Sequence, residues 1–89
     1  MPTVHYIIAG TVQGVGFRRF VMLNAQRLGL RGFVANLEDG TVECVAQGDM
    51  DTISELEMLL RQGPHHSDVT SITCTDVDNS RTYTQFRII

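Results

Sequence analysis

The sequence contains no lysine and no long apolar run. A Walker A nucleotide-binding loop is excluded, because that loop requires a lysine to contact the phosphates. No uninterrupted apolar run is longer than four residues, as at residues 6–9, whereas a helix that spans a bilayer needs about 20 apolar residues. The run is not flanked by a basic segment and a small-residue cleavage site, so we expect neither a membrane span nor a secretory signal.

Cysteine is also scarce, and Cys44 and Cys74 show no CxxC spacing. One disulfide between them would be possible, but two unpaired core thiols in a cytoplasmic protein is the interpretation we favour. His65 and His66 are neighbours in the chain, but adjacent His side chains rarely converge on one ion, and the sequence offers no evident third ligand. We therefore expect no metal site.

Charge is divided unevenly along the chain, whose net charge is −3. Residues 1–37 hold four arginines and no acid, whereas residues 38–89 hold three arginines and ten acids. Chance polarity would explain this division, and so would an anion site in the first third of the chain. Four arginines in an acidic protein make too small a basic face for a nucleic-acid backbone. A compact anion fits better, and we expect no nucleic-acid partner.

Apolar patterning predicts five strands and two helices. Strands are predicted at residues 4–10, 31–37, 41–47, 69–77 and 82–88, and helices at residues 18–28 and 51–62. This β-α-β-β-α-β order with a closing strand predicts an α+β fold, a ferredoxin-like sandwich. An antiparallel sheet of four to five strands would carry both helices on one face. We expect a single domain over residues 1–89.

Local signals mark the ends of several elements. Asp39-Gly40 predicts a tight hairpin between the second and third strands, and residues 78–80 predict a turn between the last two. Gly29 is placed to end the first helix. Thr52 and Glu55 predict a capping box at the start of the second helix.

The strongest functional signal lies where the first strand leads into the first helix. Glycines at positions 14 and 16 allow the backbone to curl around a ligand, and a helix N-terminus presents unpaired N–H groups. Such a loop can hold a tetrahedral anion such as phosphate, and Arg18 can add two charge-assisted hydrogen bonds. An ordinary glycine-rich turn is the alternative interpretation.

Asn36 is a second candidate, because asparagine is disfavoured within strands and this one shares a face with Val34. A hydrogen-bonding Asn near a hairpin end is the simpler explanation. The functional interpretation is a carboxamide that holds a water beside the bound phosphate, since it can both donate and accept.

Two motifs in register resemble the signatures of acylphosphatases. They are Gly10-x-Val12-x-Gly14-Val15-x-Phe17-Arg18 and Gly32-Phe33-Val34-x-Asn36-x-x-x-Gly40-x-Val42. Gly63-Pro64 and the closing Phe86-x-Ile88 extend the resemblance over essentially the whole chain. It implies a ferredoxin-like domain that hydrolyses the carboxyl–phosphate bond of small acyl phosphates without metal or cofactor.

The resemblance also implies roles for individual residues. Arg18 and Asn36 would be catalytic, with Asn36 positioning the attacking water. The phosphoryl group would be bound by the loop and helix start, namely Val12, Gln13, Gly14, Val15, Gly16, Phe17 and Arg18. Ala35 and Asp68 stand where basic residues are frequent in the family, which weakens the attraction of an anionic substrate. We expect a cytoplasmic monomer.

Other functions remain open at this point. The run Phe17-Arg18-Arg19-Phe20-Val21 also resembles the acylphosphatase-like domain of hydrogenase-maturation carbamoyltransferases, which handle carbamoyl phosphate. The chain stops after that domain, and this favours a freestanding enzyme. A non-catalytic phosphate-binding or regulatory module is the other alternative, since fold does not fix function.

Overall fold

A computed structural model of the chain describes residues 1–78 and 81–89. Five strands and two helices follow one another along the chain in the predicted order. They are β1 (Thr3–Thr11), α1 (Phe17–Arg27), β2 (Arg31–Asn36), β3 (Val42–Gln47), α2 (Met50–Gln62), β4 (Asp68–Asp76) and β5 (Phe86–Ile88). The predicted α+β, ferredoxin-like fold class is confirmed. No helix of the described residues is long and apolar enough to span a bilayer.

The five strands form one sheet in the order β4-β1-β3-β2-β5. Three of the strand pairs are antiparallel, but β5 runs parallel to β2, so the sheet is mixed rather than antiparallel throughout. The last two strands, predicted as sequence neighbours around a turn, lie at opposite edges of the sheet. The predicted turn extends over residues 79 and 80, which lie outside the described residues.

The last strand is shorter than predicted because a buried side chain engages the segment before it. Gln47 is 3% exposed. Its Nε2 donates to the Arg81 carbonyl at 2.9 Å, and its Oε1 accepts from the Tyr83 amide at 3.0 Å. Backbone groups that a longer strand would pair are thus satisfied by this amide, and pairing with β2 begins near Phe86.

Both helices cover one face of the sheet. Alternate residues of β1 and β3 point to this face, which period-2 alternation of a strand requires. The helices contribute their apolar stripes to the same core, α1 next to β2 and β5 and α2 next to β4. The largest buried side chains are Tyr6, Phe17, Ile8, Ile53, Leu56 and Leu60.

The end of α1 agrees with the prediction from the sequence, whereas the start of α2 differs from it. Gly29 has a φ of 73° just after α1, as expected of a residue that ends a helix. The predicted capping box is wrong: Asp49 is the N-cap of α2, and its carbonyl accepts from the Ile53 amide at 2.9 Å. Thr52 lies within the first turn and donates to the Asp49 carboxylate at 3.4 Å. The preceding acid therefore begins the helix one turn earlier than the threonine would.

The predicted hairpin between β2 and β3 is present and tight. The Leu37 amide donates to the Thr41 carbonyl at 2.9 Å, and Gly40 has a φ of 92°. The Asp39 carboxylate accepts from the amide and the hydroxyl of Thr41, which lowers the pKa of Asp39 below its ordinary value. These contacts fix the position at which β2 ends, beside Asn36.

The two cysteines occupy different environments. Cys44 is fully buried in β3, and burial raises the pKa of its thiol. Cys74 is exposed, so the expectation of two core thiols is wrong for this residue. The reason is its position on β4, an edge strand that the helices cover incompletely. Both thiols are free.

Candidate functional site

A cavity of about 210 Å³ lies between the loop after β1, the start of α1 and the ends of β2 and β5. It joins parts of the chain that are far apart in sequence. Arg18 and Asn36, the two residues predicted to be catalytic, line the same cavity. Its full lining is Val12, Gly14, Gly16, Phe17, Arg18, Arg19, Asn36 and Ile88.

The loop from Val12 to Phe17 is held at both ends by buried side chains and is open between them. Val12 and Phe17 are each 1% exposed, whereas Gly14 and Gly16 are exposed. The glycines have φ values of 75° and 77°, in the left-handed region that glycine adopts without strain. Gly16 is the N-cap of α1 and, lacking a side chain, caps none of its amides. The first N–H groups of the helix therefore remain available to an anion.

Two arginines stand in the first turn of α1. Arg18 and Arg19 are both exposed, and the first turn contains no acid. Neither takes part in the ion pairs found among residues 1–78 and 81–89, which join His5 to Glu43 and Arg61 to Glu57. The positive end of the helix dipole and two guanidinium groups thus act on one small cavity.

Asn36 is the last residue of β2 and pairs with Val42 of β3. The alternation of the strand places it on the same face as Val34, as predicted, but at the end of the sheet where its side chain is exposed. A carboxamide at this position can accept and donate at once within the cavity. It is thus suited to orient a water next to an anion bound in the loop.

Two of the predicted binding residues direct their side chains elsewhere. Gln13 Nε2 donates to the carbonyls of Leu37 and Thr41 at 2.8 and 2.9 Å, which ties the loop to the β2–β3 hairpin. Val15 is partly buried and packs against the hydrophobic core. Neither residue lines the cavity, whereas Val12, Phe17 and Arg18 do, together with Gly14 and Gly16.

Arg19 and Ile88 line the cavity although the sequence analysis did not assign them to it. Arg19 follows Arg18 directly, so its proximity could have been inferred from the helix start. Ile88 reaches the cavity because β5 lies parallel to β2, with Ile88 paired to Val34. That pairing spans more than half of the chain, and no local signal in the sequence indicates it.

A second, larger cavity of about 460 Å³ lies beside β2 and the segment before β5. It contains none of the predicted site residues. Its aromatic and basic groups contact one another: Arg81 lies over the Tyr83 ring at 5.0 Å, and the rings of Tyr83 and Phe33 are 6.1 Å apart. Size alone therefore does not make this cavity the functional site.

Comparison with known proteins shows the family of the chain. The acylphosphatase family profile matches residues 4–88. The acylphosphatase of Chlorobaculum tepidum is 46% identical over 86 residues, which cover 97% of this chain and 94% of the relative. The chain belongs to the acylphosphatase family. It is accordingly an enzyme of the class of hydrolases that act on acid anhydrides.

Solved structures of the family have the same fold. The crystal structure of acylphosphatase from Bacillus subtilis matches with a TM-score of 0.96 at 35% identity, over 100% of this chain and 99% of that one. A full-length HypF, solved in a phosphate- and nucleotide-bound form, matches with a TM-score of 0.90 at 30% identity. The match covers 99% of this chain but 12% of HypF, so it concerns one part of that larger protein.

Proposed function

We propose that this acylphosphatase-family chain hydrolyses small acyl phosphates to a carboxylate and inorganic phosphate by direct attack of water, with Arg18 and Asn36 as its catalytic residues. The observation that supports this most is their presence on one cavity, together with a loop that leaves helix N–H groups free. In the proposed complex the phosphoryl oxygens accept from the loop amides and from Arg18. A planar guanidinium can bind two of these oxygens at once.

The water would be held by the Asn36 carboxamide on the side of the phosphorus opposite the leaving group. Its oxygen accepts a hydrogen bond from the water, and its amide donates to a phosphoryl oxygen or to the water itself. The water attacks phosphorus, the bond from phosphorus to the carboxyl oxygen breaks, and the electron pair of that bond leaves with the carboxylate. The two protons of the water stay on the inorganic phosphate that forms, or pass from it to solvent. Positioning and charge stabilisation supply the catalysis.

No general acid is required for this reaction, because the leaving group is a carboxylate. The pKa of a carboxylic acid is about 4, whereas that of a phenol is about 10. At ~1.4 kcal/mol per unit, full charge development would separate the two barriers by up to about 8 kcal/mol. Binding energy acts on the phosphoryl group that both substrates share, so it cannot remove this difference. The enzyme should therefore nearly ignore phosphotyrosine.

Metal ions are not needed in this proposal, since Arg18 and the loop amides supply the positive charge. Among residues 1–78 and 81–89, no three His, Cys, Asp or Glu side chains are grouped closely enough to hold a metal ion. We also propose that the enzyme acts as a cytoplasmic monomer without a nucleic-acid partner. The acidic sequence after residue 37 and two free thiols are consistent with this.

The decisive experiment measures phosphate release from acetyl and benzoyl phosphate in excess chelator, with phosphotyrosine as the comparison substrate. We expect turnover of both acyl phosphates, competition by inorganic phosphate, and kcat/KM for phosphotyrosine lower by several orders of magnitude. Activity that requires an added divalent ion, or kcat/KM values within tenfold of each other, would contradict the mechanism. Phosphate binding without any turnover would instead support a non-catalytic module.

A further inference from the structure

The cavity contains one guanidinium more than the proposed reaction uses. Arg18 binds the phosphoryl group in that proposal, and the loop amides complete its contacts. Arg19 lines the same cavity and is exposed. The proposed reaction assigns it no contact with the phosphoryl group. Ile88 of β5 provides an apolar lining residue that is 36% exposed. The cavity therefore offers a cation and an apolar contact to the part of the substrate that lies beyond the phosphoryl group.

Arg19 stands where a cation is electrostatically unfavourable. The N-terminus of a helix is the positive end of its dipole, and cations there destabilise the helix. The other helix ends of this chain follow the usual rule: Asp51 lies in the first turn of α2, and Arg27 and Arg61 lie in the last turns. The start of α1 has two cations and no acid in its first turn. A bound anion would offset this repulsion.

A phosphoryl dianion offsets the charge of Arg18 and the dipole, and leaves Arg19 without a counterion. The described ion pairs involve neither arginine, and no acid occurs before residue 38. The volume of about 210 Å³ equals the space of roughly seven water molecules. This volume has room for a phosphoryl group and the first atoms of an acyl chain, and Arg19 is an exposed lining residue that a charged group at the far end of a short chain can reach.

We propose that Arg19 is a specificity-determining residue that binds a second negative group on the acyl part of the substrate. The enzyme would then favour monophosphorylated dicarboxylic acids over acyl phosphates with an uncharged acyl chain. The methylene groups between the two charges would contact Ile88. This inference rests on the proposed function, because it concerns the substrate class of the same cavity.

The test compares succinyl phosphate with acetyl phosphate, since the two differ by a carboxylate at the end of a short chain. The quantity measured is the ratio of their kcat/KM values in native enzyme, Arg19→Gln, Arg19→Lys and Arg27→Gln. Arg27→Gln removes the same charge from the same helix, at its opposite end. We expect the succinyl-to-acetyl ratio to fall about fivefold in Arg19→Gln, as for an exposed charge pair. Arg19→Lys should retain most of the preference, and Arg27→Gln all of it.

Raising the ionic strength should shrink the difference between native enzyme and Arg19→Gln, because the contact lies at the surface. An unchanged ratio in Arg19→Gln would overturn the proposal, as would an equal fall in Arg27→Gln. An equal fall in kcat/KM for both substrates would place Arg19 among the phosphoryl ligands and would also overturn the proposal.

Non-hydrolysable analogues separate this inference from the proposed function. The Kd values of acetylphosphonate and succinylphosphonate, measured by calorimetry, should show the same dependence on Arg19. If native enzyme failed to hydrolyse acetyl phosphate but kept this dependence, the proposed reaction would be wrong and the specificity role would stand. If native enzyme hydrolysed acetyl phosphate but the Kd values did not depend on Arg19, the specificity role would be wrong and the reaction would stand.

Discussion

Gln13→Ala should weaken both the fold and the catalytic site, because one side-chain amide connects them. Gln13 Nε2 donates to the Leu37 carbonyl at 2.8 Å and to the Thr41 carbonyl at 2.9 Å. Gln13 belongs to the loop that lines the cavity, and the two carbonyls belong to the hairpin that follows Asn36. Alanine removes both donors and leaves the loop attached through the backbone and its buried ends.

The magnitude follows from what the substitution leaves behind. A neutral hydrogen bond contributes about 1 kcal/mol, so two contribute about 2 kcal/mol. Neither carbonyl is orphaned, since Leu37 also accepts from the Gly40 amide at 3.2 Å and Thr41 from the Leu37 amide at 2.9 Å. Part of this lost stability is offset, because folding of the alanine variant no longer has to fix the rotamers of the Gln13 side chain. We expect a decrease of about 1–2 kcal/mol in the free energy of unfolding, or roughly 10 °C in Tm.

Turnover should fall more than stability alone would explain. The amides of the loop and the Asn36 carboxamide must be correctly spaced, and a displacement near 1 Å can reduce a rate about a hundredfold. We expect kcat for acetyl phosphate to fall about tenfold at a temperature where Gln13→Ala is fully folded.

Thermal and urea unfolding followed by far-UV circular dichroism measure the stability, and phosphate release measures the turnover. Gln62→Ala, at the exposed end of α2, is the matched control and should change neither. Stability of Gln13→Ala within 0.5 kcal/mol of native would refute the hydrogen-bond reasoning. Lower stability with native kcat would show that the loop and hairpin need no shared anchor.

Four further predictions concern single groups. Arg18→Ala should lose both phosphate affinity and turnover, whereas Asn36→Ala should lose mainly turnover; equal losses of affinity in phosphate titrations would contradict the division of roles. Between about pH 5 and 8, kcat/KM should show no bell-shaped pH dependence that arises from enzyme groups, because guanidinium and carboxamide groups do not titrate there. A limb of the pH profile that disappeared when a histidine was replaced would reveal a missed acid or base. Native protein should react with a thiol reagent at the exposed Cys74 and, only after denaturation, at the buried Cys44; two equally fast thiols would refute this. Burial and a neighbouring carboxylate raise the pKa of Tyr6, so the unfolded chain loses this proton first and stability should decline above about pH 10; Tyr6→Phe should reduce that decline in urea titrations over pH 9–11.

Local sequence patterns were sufficient for most elements of the fold. Alternation in β1 and the apolar spacing of both helices arise from the surfaces those residues bury, so they can be recognised without the tertiary structure. The same holds for the Asp39-Gly40 turn and for Gly29, whose positive φ favours glycine. In each case the residue's own backbone conformation carries the signal.

Features that depend on distant partners could not be predicted in this way. The length and direction of β5 depend on Gln47, which satisfies backbone groups near Arg81 and Tyr83, and on pairing with β2. The exposure of Cys74 depends on β4 lying at an edge, which its alternating sequence does not reveal. The N-cap of α2 was missed because Asp49 and Thr52 offer competing starts within one turn.

The residues of the candidate site also fall into two groups, those that a local motif indicates and those that only the tertiary structure brings together. Arg18 and Asn36 were predictable because each lies in a contiguous motif, and both line the cavity. Arg19 and Ile88 line it through proximity that only the assembled fold creates. Gln13 lies in the motif, yet its side chain contacts the hairpin rather than the cavity. A motif therefore locates a site more reliably than it assigns a role to each residue within it.

The chemistry explains why so few residues are needed. A carboxylate leaves without a proton, so the proposed site has to supply positive charge and one oriented water, and no group that titrates near neutrality. Backbone amides provide part of the charge, and their positions depend on left-handed glycines and on anchors such as Val12 and Phe17. Catalysis of this kind depends on the geometry of the whole fold rather than on a reactive side chain. Residues that tie the loop to the sheet should consequently influence the rate as strongly as many that line the cavity.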